Sequence, residues 1–194
     1  MGDQIKNNLI DMKKLLVIWS LALATLCSFA EGHMTFKGIE IDGDLESFKS
    51  KLEKQGFAGV VEDGAGAMTG MFTGEGVMVG FYPTLISKKV YKVVVIYPPQ
   101  PQWSLTESKY RGLVENLKNK YGAPKESIWK VDAFGDPEYE LIRDRAVFVT
   151  RFEVANGGVT IGIQNLPEFG VSVYIVYWDR KNDALNNAEV ESDL

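Results

Sequence analysis

Tyr97-Pro98-Pro99-Gln100-Pro101-Gln102-Trp103-Ser104 separates two stretches of the chain that have the same order of predicted elements. In each stretch a helix pattern comes first and strand patterns follow. The three prolines cannot continue the hydrogen-bond ladder of a sheet, and they favour an extended conformation. The segment can span at most ~28 Å. We therefore expect a crossover that returns the chain to the same core, with Trp103 buried at the start of the second helix.

The first stretch begins with a short extended segment. Apolar residues then recur at helical spacing from Leu45 to Gln55, and Gly56 follows, which predicts a helix with a glycine stop. Gly74-Glu75-Gly76 indicates a hairpin turn. The segment Lys89–Tyr97 is apolar on both faces, as in a central strand that is covered on both sides. The predicted strands of this stretch are Phe36–Ile41, Ala67–Thr73, Val77–Tyr82 and Lys89–Tyr97.

The second stretch repeats this order. Helical spacing predicts a helix over Leu105–Tyr121, with Ser104 and Glu107 as a capping box and Gly122 as its stop. Asn156-Gly157 suits the positive φ angles of a type I′ hairpin turn. The predicted strands of this stretch are Ser127–Val131, Ala146–Glu153, Val159–Gln164 and Val171–Trp178.

These patterns predict an α+β fold of two tandem repeats, each a helix plus antiparallel strands, with the helices on one face of the sheet. Within the second repeat, residues 132–145 are expected to form a loop with a helical turn. The polar end of the chain is expected to fray. The predicted organisation is an N-terminal extension and cleavable signal peptide over 1–30, the first α+β repeat over 31–99, the second over 100–180 and a polar C-terminal tail over 181–194.

The N-terminal residues predict export. The basic Met12-Lys13-Lys14 precedes an apolar run, Leu15–Leu26, and Ser28-Phe29-Ala30 places small residues at the two positions that signal peptidase reads. We expect translation from Met12, cleavage after Ala30 and a periplasmic or secreted protein with no integral membrane segment. Two alternatives stay open: an uncleaved anchor, and a lipid anchor on Cys27, which the bulky Leu26 before it disfavours.

The duplicated order of helix and antiparallel strands resembles the β-lactamase-inhibitor-protein-like fold. The chain is also similar to a group of uncharacterised exported bacterial proteins that have a Phe-Lys-Gly-Ile opening and a Lys-Tyr-Gly-x-Pro helix end, here Phe36–Ile39 and Lys120–Pro124. The resemblance spans most of residues 36–180 and implies the fold. The inhibitors carry a disulfide in each repeat, which the processed chain cannot form, so the resemblance implies neither inhibition nor any functional residue.

The composition argues against several chemistries. The formal net charge of -5 leaves no basic footprint for nucleic acid. His33 is the single histidine, beside an end that we expect to fray, and Cys27 is removed with the signal peptide. We therefore expect no His- or Cys-based active site, no metal site and no cofactor. Chemistry by carboxylates alone stays open. Its candidates are loop residues: Glu62, Asp63, Asp132, Asp136 and Glu138.

What the sequence favours is recognition by a surface. An antiparallel sheet with helices on one face leaves its other face open, and aromatic groups dominate the energetics of interfaces. We expect a non-catalytic exported binding module for a protein or peptide partner. The alternatives are a structural or assembly factor of the cell envelope that acts as a homodimer, and a carboxylate-only hydrolase. The candidate partner-binding residues are Tyr82, Tyr97, Trp129, Tyr174 and Trp178.

Overall fold

The computed structural model of the chain describes residues 32–59, 67–131, 135–167 and 169–194. The predicted signal peptide and Cys27 lie outside these residues. From His33 onward the described chain belongs to one unit. Within that part, we find no helix whose length and hydropathy would let it span a membrane.

Antiparallel strands make up most of the regular secondary structure. The strands are β1 Thr35–Phe36, β2 Ile39–Glu40, β3 Ala58–Gly59, β4 Ala67–Phe72, β5 Glu75–Pro83, β6 Val90–Ile96, β7 Glu126–Val131, β8 Ala146–Val154, β9 Gly157–Leu166 and β10 Gly170–Asp179. Strands β1 and β2 form a small hairpin of their own. The other eight form one sheet in the order β3-β4-β5-β6-β10-β9-β8-β7, so two four-stranded meanders meet where β6 pairs with β10. The doubly apolar segments are therefore the central strands, as predicted.

Helices account for the rest of the regular structure. They are α1 Leu45–Glu53, α2 Trp103–Tyr121, α3 Pro137–Ile142 and α4 Arg180–Asp193. The α+β class is thus confirmed. Helix α1 begins where the Asp44 carboxylate accepts a hydrogen bond from the Ser47 N–H, 2.8 Å away. Its chain leaves through Gly56, whose φ of 86° only glycine adopts without strain.

Helices α1 and α2 pack on the same face of the sheet. The Phe48 ring of α1 lies 5.4 Å from the Phe81 ring, and the Tyr110 hydroxyl of α2 is 2.7 Å from the Thr150 hydroxyl. The strand registers place Phe81 and Thr150 on one face. Phe48 is fully buried, and burial of such a side chain contributes roughly 1.5–3 kcal/mol.

The Pro-rich segment and α2 together form the crossover from β6, at the centre of the sheet, to β7, at its edge. The Tyr97 N–H donates to the Val173 carbonyl, after which the chain leaves β6 and enters α2. Trp103 packs on Phe148 with ring centroids 5.0 Å apart, as expected, although it stays partly exposed. The prediction of a capping box at Ser104 is wrong. The helix begins earlier, at Trp103, and its N-cap residue, Gln102, makes no side-chain hydrogen bond.

Two turns differ from the prediction. The segment Phe36–Ile41 is a hairpin and not a single strand, since Lys37 and Gly38 both have positive φ. The turn between β8 and β9 is Ala155-Asn156, without the positive φ of a type I′ turn. Gly157 already belongs to β9, where a Cβ would lie 2.1 Å from the Trp178 carbonyl oxygen. This glycine serves the close approach of two strands.

The polar C-terminal tail is helix α4, so the prediction that it frays is wrong. Its polar side chains bond to the backbone of other elements. Asn182 donates to the carbonyls of Ile41 and Val90, and the Glu189 carboxylate accepts from the N–H groups of Ile86 and Ser87. The Glu189 bonds hold the helix against the loop between β5 and β6, and the Asn182 bonds join it to the start of β6 and to the residue after β2.

The bonds to Glu189 predict a pH-dependent contribution to stability. Hydrogen bonding by Ser87, together with the backbone N–H groups of Ile86 and Ser87, lowers the pKa of Glu189 against the opposing effect of burial. Because the pKa of Glu189 is lower in the folded protein than its ordinary value of about 4.3, the ionised carboxylate stabilises the fold at pH values above that ordinary value. This contribution to the free energy of unfolding is lost as the pH falls through the lowered pKa. Glu189→Gln should therefore lower the urea midpoint more at pH 7 than at pH 3.

The exposed Glu191 in the same helix supplies the control. Glu191→Gln should change the urea midpoint little at either pH. An equal loss for Glu189→Gln at both values would contradict the assigned role of its charge.

Candidate functional site

The five candidate aromatic residues divide between the two faces of the sheet. Tyr97 and Trp129 lie on the face that α1 and α2 cover. Tyr82, Tyr174 and Trp178 lie on the opposite face, which we call the open face. The structure therefore brings together three of the five.

Tyr97 lies in the core of the protein. Its side chain is fully buried, and its hydroxyl lies 2.9 Å from the Thr73 hydroxyl. Burial raises the pKa of Tyr97 to about 12. The prediction of a partner-binding role for Tyr97 is wrong, because the side of β6 that carries it faces the helices.

Trp129 belongs to a separate cluster beside α2. Its ring centroid is 4.4 Å from that of Phe148 and 5.7 Å from that of Tyr110, and the Arg111 guanidinium lies 4.4 Å from the ring centre. The Trp129 side chain keeps 39% exposure and lines a cavity of about 270 Å³ next to α2. Its partner-binding role stays a prediction, but it cannot share a surface with Trp178.

The open face consists of side chains that the strand registers align in three rows across the sheet. Neighbouring strands are roughly 4.8 Å apart, so Tyr82 and Trp178, two strands apart, are separated by roughly 10 Å. The rows are Tyr82, Lys92, Trp178, Gly158 and Glu153; then Gly80, Val94, Val176, Thr160, Arg151 and Glu126; then Met78, Ile96, Tyr174, Gly162, Val149 and Ile128.

Two aromatic rings of the open face lie on glycines of the neighbouring strand. A Cβ at Gly162 would lie 2.6 Å from the Tyr174 hydroxyl oxygen, and one at Gly158 would lie 2.6 Å from Nε1 of Trp178. Burial against the sheet raises the pKa of Tyr174. Each ring is thus held close to the backbone and partly exposed, as a platform for a ligand would be.

Charged groups lie on two sides of this apolar centre. The Lys92 ammonium lies 4.4 Å from the ring centre of Tyr82, which is 46% exposed. On the opposite side, Lys125 pairs with Glu153 at 2.6 Å and Arg151 pairs with Glu126. The Lys125 hydrogen bond lowers the pKa of Glu153. These two ion pairs and Trp178 line a cavity of about 430 Å³.

The sequence did not predict a polar cluster around His33. The expectation that His33 lies beside a frayed end is wrong, because its side chain has ordered partners. Nδ1 of His33 lies 3.0 Å from a carboxylate oxygen of the fully buried Asp179, whose other oxygen accepts from the Met34 N–H at 2.6 Å. Nε2 of His33 lies 3.7 Å from the Asp42 carboxylate. No local pattern marks this cluster, because its members come from opposite ends of the chain.

The two described carboxylates among those proposed for catalysis, Asp136 and Glu138, lie at the start of α3. Asp136 accepts from the Tyr139 N–H and caps α3, whose first turn contains Glu138. Glu62, Asp63 and Asp132 lie outside the described residues. Within the described ranges, no three His, Cys, Asp or Glu side chains are grouped so that they could hold a metal ion.

Comparisons with protein-family models, with curated proteins and with solved structures found no match to this chain. The likeness to the β-lactamase-inhibitor-protein-like fold therefore remains a resemblance of sequence pattern. The residues of the open face are interpreted from their own geometry.

The contacts of Gly162 and Gly157 predict that an added methyl group lowers the free energy of unfolding by different amounts at the two positions. Gly162→Ala would displace the outer atoms of the Tyr174 ring away from the sheet and leave the backbone in place. We therefore expect a loss of about 1 kcal/mol, at the low end of overpacking effects. Gly157→Ala meets the backbone of Trp178 and should cost more, up to about 3 kcal/mol. Urea unfolding measures both, and a larger loss for Gly162→Ala would contradict this account of the two glycines.

Proposed function

We propose that this protein is a non-catalytic exported binding module that recognises a protein or peptide partner through the open face. The observation that carries the proposal is the apolar strip on the central strands. Val94, Ile96, Val176 and Tyr174 are adjacent on β6 and β10, and all four side chains are partly exposed. Contiguous exposed apolar surface on a soluble domain is typical of an interaction site.

The surroundings of the strip also support recognition. Lys92 lies at one side and the Arg151–Glu126 pair at the other. An apolar centre with a charged rim is the usual anatomy of a protein interface, where the rim contributes orientation and the centre most of the affinity. Tyr174 and Trp178 add rings that are already fixed on glycines, so little side-chain entropy is lost when a partner binds.

Export and duplication belong to the same proposal. The basic and apolar N-terminal segments support a cleavable signal peptide. The order of α1 followed by β3 to β6, and of α2 followed by β7 to β10, supports two tandem repeats. Under this proposal the open face is shared by both repeats, because its apolar strip lies where β6 and β10 meet.

Cross-linking from the face tests the proposal. A photoreactive benzoylphenylalanine at position 176 should give a covalent adduct with an envelope or extracellular protein, whereas one at Leu105, 47% exposed on α2, should not. Val176→Lys should weaken binding of the identified partner about tenfold or more, because a charge would enter an apolar contact. Leu105→Lys is the matched control and should leave the affinity unchanged.

Each outcome separates the alternatives. An adduct between two copies of this chain, with a dimer mass that Val176→Lys abolishes, would replace the proposal with the homodimeric envelope factor. Equal adducts from positions 176 and 105, or none from 176, would contradict a role for the open face. We do not propose the carboxylate-only hydrolase as a second function, since Asp136, one of its described candidates, serves as a helix cap.

A further inference from the structure

One corner of the open face holds a cavity of about 430 Å³ where β7, β8, β9 and β10 lie side by side. It lies beside the apolar strip and differs from it in chemistry, because most of its lining is charged. The volume falls in the range of small-molecule sites, roughly 300–1,000 Å³. The lining residues are Lys125, Glu126, Arg151, Glu153, Thr160 and Trp178, with a contribution from Phe152.

The apolar surface of the cavity is the Trp178 indole. It lies on Gly158, where any Cβ would come within 2.6 Å of Nε1, so the absence of a side chain there brings the indole down onto the sheet. Arg180 does not line the cavity, and its guanidinium carbon lies 5.5 Å from the centre of the Trp178 ring. Its guanidinium donates to the carbonyls of Val154 and Ala155, which fix its position. The sheet thus supports the indole from below.

Two ion pairs form the walls of the cavity, and each joins a residue at the start of β7, or just before it, to β8. In one pair β8 contributes the carboxylate, and in the other β8 contributes the cation. Lys125 pairs with Glu153 at 2.6 Å, and Arg151 pairs with Glu126. Each cation that lines the cavity has a carboxylate beside it, so the lining is close to neutral. A charged ligand would meet a repelling group next to every attracting one, whereas a neutral ligand with both donors and acceptors meets a partner for each.

We propose that this cavity binds a neutral pyranose sugar. The C–H face of a pyranose is apolar and flat enough to lie on an indole, and its equatorial hydroxyls both donate and accept. Here the Arg151 guanidinium donates, the Glu126 and Glu153 carboxylates accept, and the Thr160 hydroxyl does either. The inference goes beyond the proposed recognition of a protein or peptide, because its ligand and its binding groups are different.

Titration of the full chain with neutral disaccharides tests the inference. Calorimetry with cellobiose, maltose and diacetylchitobiose should show saturable binding of at least one of them, with dissociation constants at or below about 10 mM. Trp178→Ala should weaken that binding tenfold or more, and Trp178→Phe should weaken it less, because a ring is retained. Trp129→Phe, on the other face of the sheet, is the matched control and should change nothing.

A second arm distinguishes a free sugar from a polymer. Retention on insoluble cellulose or chitin without binding of the soluble disaccharide would identify a polysaccharide chain as the ligand, and the reverse would identify a small sugar. Circular dichroism of the Trp178 variants shows whether they are folded, and Thr160→Val, which keeps the shape of the side chain, supplies an independent loss of affinity.

The inference is overturned if no neutral sugar binds in either arm at about 10 mM. It is also overturned if Trp178→Phe and Thr160→Val bind as the unmodified protein does, or if digalacturonate binds more tightly than the neutral sugars. Ile96→Lys separates this site from the partner site, because Ile96 belongs to the apolar strip but does not line the cavity. It should weaken binding of the identified partner and leave sugar binding intact.

Discussion

The pairing of β6 with β10 is the constraint on which the rest of the structure depends. Side chains of a strand alternate between its two faces, so one pairing fixes two surfaces at once. On one face it joins Val93 to Tyr177 and Val95 to Ile175, all of which are buried under the helices. On the other face the same register joins Val94 to Val176 and Ile96 to Tyr174. A one-residue slip would exchange the two sets, so the core and the apolar strip of the open face are specified together.

Much of the fold follows from local sequence. The period of two residues marks β6 and β10 as doubly apolar, and helical spacing with a glycine stop marks α1 and α2. Helix α4 does not follow, because the polar residues in it satisfy backbone groups far away in the chain, as Asn182 does for Ile41 and Val90. A polar segment that bonds to such groups and one that faces only solvent have the same composition. The ordered position of His33 is hidden in the same way, since it depends on Asp179.

The candidate site was predictable only in part. Alternation separates Tyr97 from Val94 and Ile96 within β6, but it does not say which side the helices cover, and the structure puts Tyr97 beneath them. The glycines that seat Tyr174 and Trp178 could not be recognised, because Gly158 and Gly162 acquire that role only through the register of β9 with β10. The sequence therefore predicted Tyr174 and Trp178 as candidate residues, but not that each ring lies on a glycine of the neighbouring strand. The ion pairs beside it likewise join residues of different strands.

The polar cluster at the ends of the chain has a kinetic consequence. Met34 donates to Asp179 across 145 positions, and Ile41 accepts from Asn182 across 141. Contacts of such high sequence separation require closure of nearly the whole chain, which slows folding and delays it until the last segment is present. On the ribosome, Met34 and Ile41 lack these two partners until Asp179 and Asn182 have emerged. The two contacts can therefore form only after β10 has been synthesised.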